Sequence, residues 1–279
     1  MTGTTSEEMP DLRAVSYTVD ERIAIITLDR PHRNNAWTGT MDREYRFCLD
    51  LAESDPSVSA IVVTGAGERF CVGGDSQALE GHVERGGYDT GLVGDEATPG
   101  YGVEPIFDHP FACHFGLSKP VIAAVNGAAA GIGMALAMFA DLRFATPGAK
   151  FTTAHGKLGL PPEYGLSWLL PRMVGLPRAL DVLLTSRVLL AEEALEWGLI
   201  NGIRPPDELL AFSVDYAKQL VASVAGGSLR ASRQQVYRDL HGDIGTSVVD
   251  SMRLLNEMMG GDEYREGVAA LVEKRPPRF

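Results

Sequence analysis

The sequence predicts an α/β fold that carries a helical C-terminal region, and three observations predict it. Short apolar runs alternate with segments of helical spacing over the first two-thirds of the chain, the pattern of strands joined by crossover helices. After Pro206 the strand-like runs stop, and the remaining segments read as helices. With 279 residues, 45% of them hydrophobic, the chain can enclose one large core with an appendage. These observations predict a flexible N-terminus over 1–12, an α/β core over 13–206 and a helical C-terminal region over 207–279.

Element by element, Val15–Val19 and Ile23–Leu28 read as strands around an Asp20–Glu21 turn. Met41, Tyr45, Cys48, Leu49 and Ala52 then recur at helical spacing, and Ala60–Thr64 is a buried strand. The cycle repeats in the strand-like Pro120–Val125, the small-residue helix Gly131–Ala140 and the strand Leu142–Ala145. Between Leu79 and Leu117 the pattern fails. Seven glycines from Gly81 to Gly102, both included, predict a mobile loop, with a helix only near Val103–Phe115. Such a segment is either a lid or binding loop, or a plain surface insertion. Glu208–Ala225, Ser228–Leu240, Gly245–Met259 and Asp262–Lys274 read as the closing helices. The last opens on acidic residues and ends on a basic one, as the helix dipole favours. Their apolar faces pack on the core or on another subunit.

Charge and cysteine usage narrow the function. With 25 Lys+Arg against 37 Asp+Glu, the net charge is −12, which argues against a broad basic surface for nucleic acid or an anionic membrane. An anionic substrate then needs a local cationic site. The opening MTGTTSEEMPD has neither the basic nor the apolar part of a signal peptide. The longest apolar candidate, Pro120–Ala140, is interrupted by Asn126, Gly127, Gly131 and Gly133, and no run reaches membrane-spanning length. Cys48, Cys71 and Cys113 are widely spaced and form no CxxC pair, which suits a reducing cytoplasm and neither a disulfide frame nor a zinc site. The expectation is a cytoplasmic protein that holds no metal.

Phosphate-loop, GxSxG and HExxH motifs are absent, and Gly131-Ile132-Gly133 lacks the third glycine of a dinucleotide fingerprint. Two glycine-rich turns remain, each after an apolar strand. One runs from Ile61–Gly65 to Arg69-Phe-Cys-Val-Gly73-Gly74-Asp75, and the other is Asn126-Gly-Ala-Ala-Ala-Gly131-Ile132-Gly133, leading into a helix. Brought together, such turns aim two peptide N–H donors at one oxygen, which makes an oxyanion hole. Taken alone, they equally permit tight strand-to-helix turns and close helix packing.

These turns, together with Ile26-Thr-Leu-Asp-Arg30-Pro-His32-Arg33-Asn-Asn-Ala36, resemble the signatures of the crotonase (enoyl-CoA hydratase/isomerase) superfamily. The likeness continues through Gly159-Leu-Pro-Pro-Glu163-Tyr-Gly165-Leu-Ser-Trp-Leu-Leu-Pro-Arg172, then Ala191-Glu-Glu-Ala194 and Gly198-Leu-Ile-Asn201. It spans the chain from about Val15 to its end, and Leu79–Leu117 is the least family-like part. The resemblance implies a spiral of ββα units followed by a C-terminal helical oligomerisation region that builds homotrimers or hexamers. It also implies an acyl-CoA substrate, no separate cofactor because coenzyme A is part of that substrate, and a thioester enolate held by two backbone amides. On the matching positions those amides belong to Gly74 and Ile132.

The family's hydratases hold a water with two glutamates, and the matching positions here are Ala135 and His155. A third position, filled in certain isomerases and hydroxyisobutyryl-CoA hydrolases of the family, is Glu163. The resemblance therefore implies Glu163 as the proton-moving residue and His155 as a second catalytic candidate, with double-bond isomerisation or hydration of an enoyl-CoA as the reaction. Its alternatives are a catalytically silent acyl-CoA-binding protein and a thioester or C–C hydrolase using His155. Read without the family, Glu163 is a first-turn acidic residue of a Leu166–Met173 helix, and His155 is a structural histidine. Leu160, Tyr164, Leu166 and Trp168 are the expected apolar surroundings of Glu163. Asp75 is expected to fix its own turn. Arg30, His32 and Arg33, with the tail residues Lys274, Arg275 and Arg278, are the expected cations for the coenzyme A phosphates; singly, each also reads as a solvated surface charge.

Overall fold

The computed structural model describes residues 11–85 and 105–279. β1 (Val15–Asp20) and β2 (Ile23–Leu28) form an antiparallel hairpin with Val15 opposite Leu28. α1 (Gly39–Ser54) is capped by the Thr38 hydroxyl, which accepts the Met41 N–H, and it buries the predicted stripe of Met41, Tyr45, Cys48, Leu49 and Ala52. β3 (Ala60–Gly65) returns parallel to β2 and is followed by α2 (Ser76–Arg85) and the single turn α3 (Cys113–Gly116). β4 (Val121–Val125) lies parallel to β3. Then come β5 (Ala129–Ala130), α4 (Ile132–Met138), β6 (Leu142–Ala145), β7 (Lys150–Thr152), α5 (Leu166–Val174) and α6 (Leu176–Thr185). β8 (Leu189–Leu190), α7 (Ala191–Glu196) and β9 (Gly202–Ile203) complete the α/β part.

The main sheet has the order β1-β2-β3-β4-β6-β9 and is parallel beyond its first hairpin; β5, β7 and β8 make a second, small sheet. Crossover helices cover both faces of the main sheet, which is why β3 is apolar from Ala60 to Val63 and β4 is apolar throughout. Ile61 and Val63 face the large core with α1 and α4, whereas Ala60 and Val62 face α8 (Leu209–Ser223) through Val214, Ala217 and Val221.

α9 (Gly226–Asp239) is pinned to the core by polar contacts. Its Arg233 guanidinium pairs with Asp141 at 2.9 Å and donates to the carbonyls of His114 and Leu117, and its Tyr237 hydroxyl donates to the other Asp141 oxygen. α10 (Ile244–Met259) and α11 (Asp262–Glu273) follow. The four closing helices lie within two residues of their predicted bounds.

Two expectations between Leu79 and Leu117 are corrected. The helical pattern does not fail at Leu79, because α2 runs on to Arg85 with Gly81 inside it. One interior glycine weakens a helix by only about 1 kcal/mol relative to alanine. The rest of the predicted Gly81–Gly102 loop lies outside the described residues. The helix expected near Val103–Phe115 is instead a 3-10 turn at Pro105–Phe107 and the short α3. Pro110 between them has no N–H and disfavours helical backbone at His109, and Phe111 turns to φ +61°.

Candidate active site

The two glycine-rich turns leave the C-terminal ends of the neighbouring parallel strands β3 and β4, where open α/β sheets place their ligands. Side-chain amides hold them in place. Asn126 Oδ1 accepts the Gly65 N–H at 3.2 Å, and its Nδ2 donates to the carbonyls of Gly65 and Gly67 at 2.8 Å each. The fully buried Asn35 reaches in from a third segment, donating to the carbonyls of Ala66 (2.9 Å) and Arg69 (2.7 Å) and accepting the Arg30 N–H at 2.9 Å.

The first turn then pairs on both sides. Cys71 bridges to Ala129, with its N–H on the Ala128 carbonyl and its own carbonyl accepting the Ala130 N–H. Trp37 donates to the Gly73 carbonyl at 2.8 Å and accepts the Asp75 N–H at 2.9 Å. In extended backbone the intervening residue faces the opposite edge, so the Gly74 N–H lies away from Trp37. In the second turn, Gly131 adopts φ +50° immediately before α4. Ile132 opens that helix, and a first-turn N–H has no acceptor within the helix. A Cβ on Gly133 would stand 2.0 Å from the Cys71 carbonyl oxygen, so only glycine lets α4 seat against the first turn.

Glu163 lies where the turns meet. A Cβ built on Gly131 would be 3.8 Å from Gly73 Cα and 3.9 Å from Glu163 Oε2. The reading of Glu163 as a first-turn helix acid is corrected. α5 starts only at Leu166 behind a left-handed Gly165 cap, and no acidic residue lies in its first turn. Burial raises the Glu163 pKa above the ordinary carboxylate value, and the charge of His155 partly offsets the rise. His155 is 5% exposed, and among the described residues its buried Nδ1 has no hydrogen-bond partner. A 3-10 turn over His155–Leu158 holds it, and next to it the Gly156 N–H donates to the buried Ser186 hydroxyl. Ala135, also a family position, is fully buried on α4.

The expected shell of Glu163 is partly corrected. Leu166 is buried, but Leu160 is 43% exposed. Trp168 is held between the Arg172 guanidinium, 4.0 Å from the ring centroid, and the His241 ring, stacked at 4.9 Å. Tyr164, at φ +50°, packs edge-on against Phe111 at 5.0 Å, and Phe111 packs likewise on Trp37. Beyond this wall, residues of the 105–115 segment and of α5, with Phe139 after α4 and His241 after α9, line an open cavity of about 480 Å³. The sequence motifs do not point to this cavity; its one local signal is Phe107 and Phe115, which line it from a segment where Phe recurs every four residues.

Three of the cations expected to meet phosphates, Arg30, Arg33 and Arg275, pair with carboxylates of the protein. Arg30 Nη2 and Arg33 Nη2 reach Asp75 at 3.1 and 2.9 Å, and Arg30 also donates to the Ala36 carbonyl. Asp75 accepts the Gln77 N–H as well, so it fixes its own turn as expected and anchors both arginines. The Arg33 hydrogen bond, then those of Gln77 and Arg30, hold its carboxyl below the usual range. His32 is exposed on the 3-10 turn Pro31–Arg33. Lys274 ends α11 in the left-handed conformation, and Arg275 pairs with Glu266 (2.6 Å) and Glu273 (2.5 Å). No ion pair or hydrogen bond joins this tail to the Arg30 group among the described residues.

The enoyl-CoA hydratase/isomerase family model matches residues 18–279. This chain belongs to that family. It is 35% identical over 262 residues to 1,2-epoxyphenylacetyl-CoA isomerase of Escherichia coli (strain K12), with 94% of this chain and 96% of the relative covered. A probable enoyl-CoA hydratase of Rhodobacter capsulatus is 33% identical over 275 residues, covering 95% and 97%. Among solved structures, a putative enoyl-CoA hydratase from Streptomyces coelicolor A3(2) superposes with a TM-score of 0.84 at 28% identity, covering 100% of this chain and 98% of the other. The α/β core with C-terminal helices is thus the crotonase fold of the enoyl-CoA hydratase/isomerase family, as the sequence motifs implied. No helix among the described residues is long and apolar enough to cross a membrane.

Proposed function

We propose that the protein isomerises an enoyl-CoA thioester through an enolate, with Glu163 as the single proton carrier. The observation that carries this reading is the Glu163 carboxylate at the junction of the two glycine turns, while the positions of the hydratases' two glutamates hold Ala135 and His155. The amides of Gly74 and Ile132 receive the thioester oxygen as it gains charge, and one such donor is worth about 3 kcal/mol of transition-state stabilisation. Glu163 removes a proton from one carbon and returns it to another. One base suffices for that transfer, whereas hydration needs a second group to handle water. The raised pKa of Glu163 makes it a better proton acceptor than an ordinary carboxylate, which suits a group that must take up and release a proton. The Escherichia coli relative is an isomerase by name, which also favours this chemistry.

Coenzyme A arrives as part of the substrate, and no step above calls for a resident cofactor. Arg30, His32 and Arg33, with Lys274 and Arg275 of a tail that meets a neighbouring subunit's ligand, supply the cations for its phosphates. That arrangement needs assembly. The groove of about 940 Å³ between α9, α10 and α11, lined by Leu255, Met258, Met259, Val268 and Leu271, is the face through which we expect homotrimers, or hexamers built from them, to form.

The test is Glu163→Gln, assayed with a panel of enoyl-CoA thioesters by product mass spectrometry. We expect kcat on the best substrate to fall about 10³-fold, within the range ascribed to a positioned acid–base group. Undiminished turnover would remove Glu163 from the reaction. A second reading, hydrolysis with His155 handling water, is favoured by the buried, unpartnered Nδ1 of His155 and by the electrostatic influence of that residue on Glu163. It predicts release of free coenzyme A or a cleaved acyl chain in the same assay. Binding without any turnover would identify a catalytically silent acyl-CoA-binding protein.

A further inference from the structure

We propose that a pocket at the edge of the main sheet opposite the glycine turns binds inorganic phosphate. The residues just before three parallel strands meet there: Arg22 before β2, Ser59 before β3 and Lys119 before β4. The glycine turns leave the other ends of β3 and β4, so a six-residue strand, about 20 Å long, separates the two places. The start of α9 closes the pocket with Arg230, and the space between is about 400 Å³. This site is separate from the thioester site and does not depend on the role of Glu163.

Charge selects an anion. In a chain of net charge −12, this pocket is lined by three cationic side chains, Arg22, Lys119 and Arg230, against the single carboxylate of Glu53. Neighbouring acids are engaged elsewhere: Asp55 accepts the N–H and hydroxyl of Ser57, Glu21 pairs with Lys218, and Glu263 accepts the Gly227 N–H. Arg22 donates through Nε to the Ser59 hydroxyl at 3.0 Å, and neither Arg22 nor Arg230 has an ion pair among the described residues. Lys119 donates to the carbonyls of Ala52 (2.5 Å) and Asp55 (2.6 Å) at the end of α1, and an ammonium carries a third N–H. Burial lowers the Lys119 pKa; Glu53 and Asp55 oppose that, and repulsion from Arg230 adds to it. An anion between the two cations relieves the repulsion.

Glu53 decides which anion. Its Oε1 accepts the Ser118 N–H at 2.9 Å, while its Oε2 is buried and has no hydrogen-bond partner among the described residues. An ionised carboxylate only accepts, so the ligand must bring a donor to Oε2 as well as oxygens to the cations. Hydrogen phosphate does both, because it keeps an O–H in each form it takes near neutral pH, and its oxygens match the guanidinium fork of arginine. Sulfate has no O–H and would set an oxygen against Oε2. A phosphate monoester loses its last such proton at a pH of roughly 6. An amino-acid zwitterion brings an N–H but no net charge to meet the cationic excess.

Titration calorimetry of the full chain with phosphate, sulfate and glycerol 3-phosphate at neutral pH tests this. We expect phosphate to bind about tenfold more tightly than either of the others. Arg22→Gln and Arg230→Gln should each weaken phosphate about tenfold, the effect of losing one charged hydrogen bond. Both side chains belong to exposed residues, so the variants should fold. Arg230 also lines the groove between α9, α10 and α11, whereas Arg22 does not, so the Arg22 variant separates anion binding from assembly. Glu53→Gln keeps an oxygen for the Ser118 N–H and puts an N–H donor in place of Oε2. Sulfate should then gain, and the preference for phosphate should fall below about threefold. Absence of phosphate binding, equal affinity for sulfate in the parent protein, or an affinity for phosphate unchanged in both arginine variants would overturn the site. Tighter binding of glycerol 3-phosphate would overturn its assignment to the free ion.

Discussion

All six residues of β3 are buried, and none of the sixteen residues of α10 is. Both segments are rich in apolar side chains: β3 carries Ile61, Val62 and Val63, and α10 carries Ile244, Val249, Met252 and Leu255, each at least 60% exposed. The two regions therefore use the same chemistry for different ends. In β3 the apolar run is enclosed on both faces and positions a turn with little freedom. In α10 no apolar side chain is fully covered among the described residues, and exposed patches of this kind mark surfaces that meet a partner. Local periodicity does not distinguish the two cases, because it reports which side chains avoid water and not what shields them.

The contrast can be broken at either end. The largest effect is expected on α10, where Val249→Glu combined with Leu255→Glu should abolish self-association, a loss of roughly 8 kcal/mol for a micromolar assembly. Sedimentation velocity should then show the mass of one chain, while each chain's own unfolding free energy changes by no more than about 0.5 kcal/mol per site. A variant that remains associated would assign assembly to another face. In the enclosed region the opposite holds. Gly133→Ala, with no room between α4 and the Cys71 carbonyl, should lower the unfolding free energy in urea by about 3 kcal/mol.

The smallest effect is electrostatic. Because burial raises the Glu163 pKa, the folded state holds that proton more tightly than the unfolded chain does. Its contribution favours folding below the ordinary carboxylate range and is lost as pH rises through the raised value. Glu163→Gln should thus melt on the order of 1 °C higher than the parent at pH 7 and at the same temperature near pH 4. In activity the sign reverses. The base must be ionised, so the acid limb of kcat/KM should lie above the ordinary carboxylate range.

The longer elements, α10 included, were legible in the sequence, whereas what covers their apolar faces was not. β2 and β6 have their predicted bounds because each is a short, largely apolar and largely buried run flanked by turn residues. β5, β7, β8 and β9, two or three residues each, are too short to carry a period. Glu163 stood out through its motif, yet its placement depended on Gly165, whose left-handed cap delays α5 and frees the carboxylate from the helix. The cavity was hidden because Phe115, Phe139, Trp168 and His241 come from four segments that only the tertiary fold brings together. The saturation of Asp75 by Arg30 and Arg33 was equally out of reach, since 42 and 45 residues separate the partners.

Asn126 has a consequence for the order in which this site is made and lost. A single side chain closes both glycine turns, and its partners, Gly65 and Gly67, lie 61 and 59 residues away in sequence. These bonds between the turns require β3 and β4 to be paired. The Gly65 amide hydrogen should consequently exchange with solvent only when the central sheet opens, at a rate set by global unfolding and not by local loop fraying.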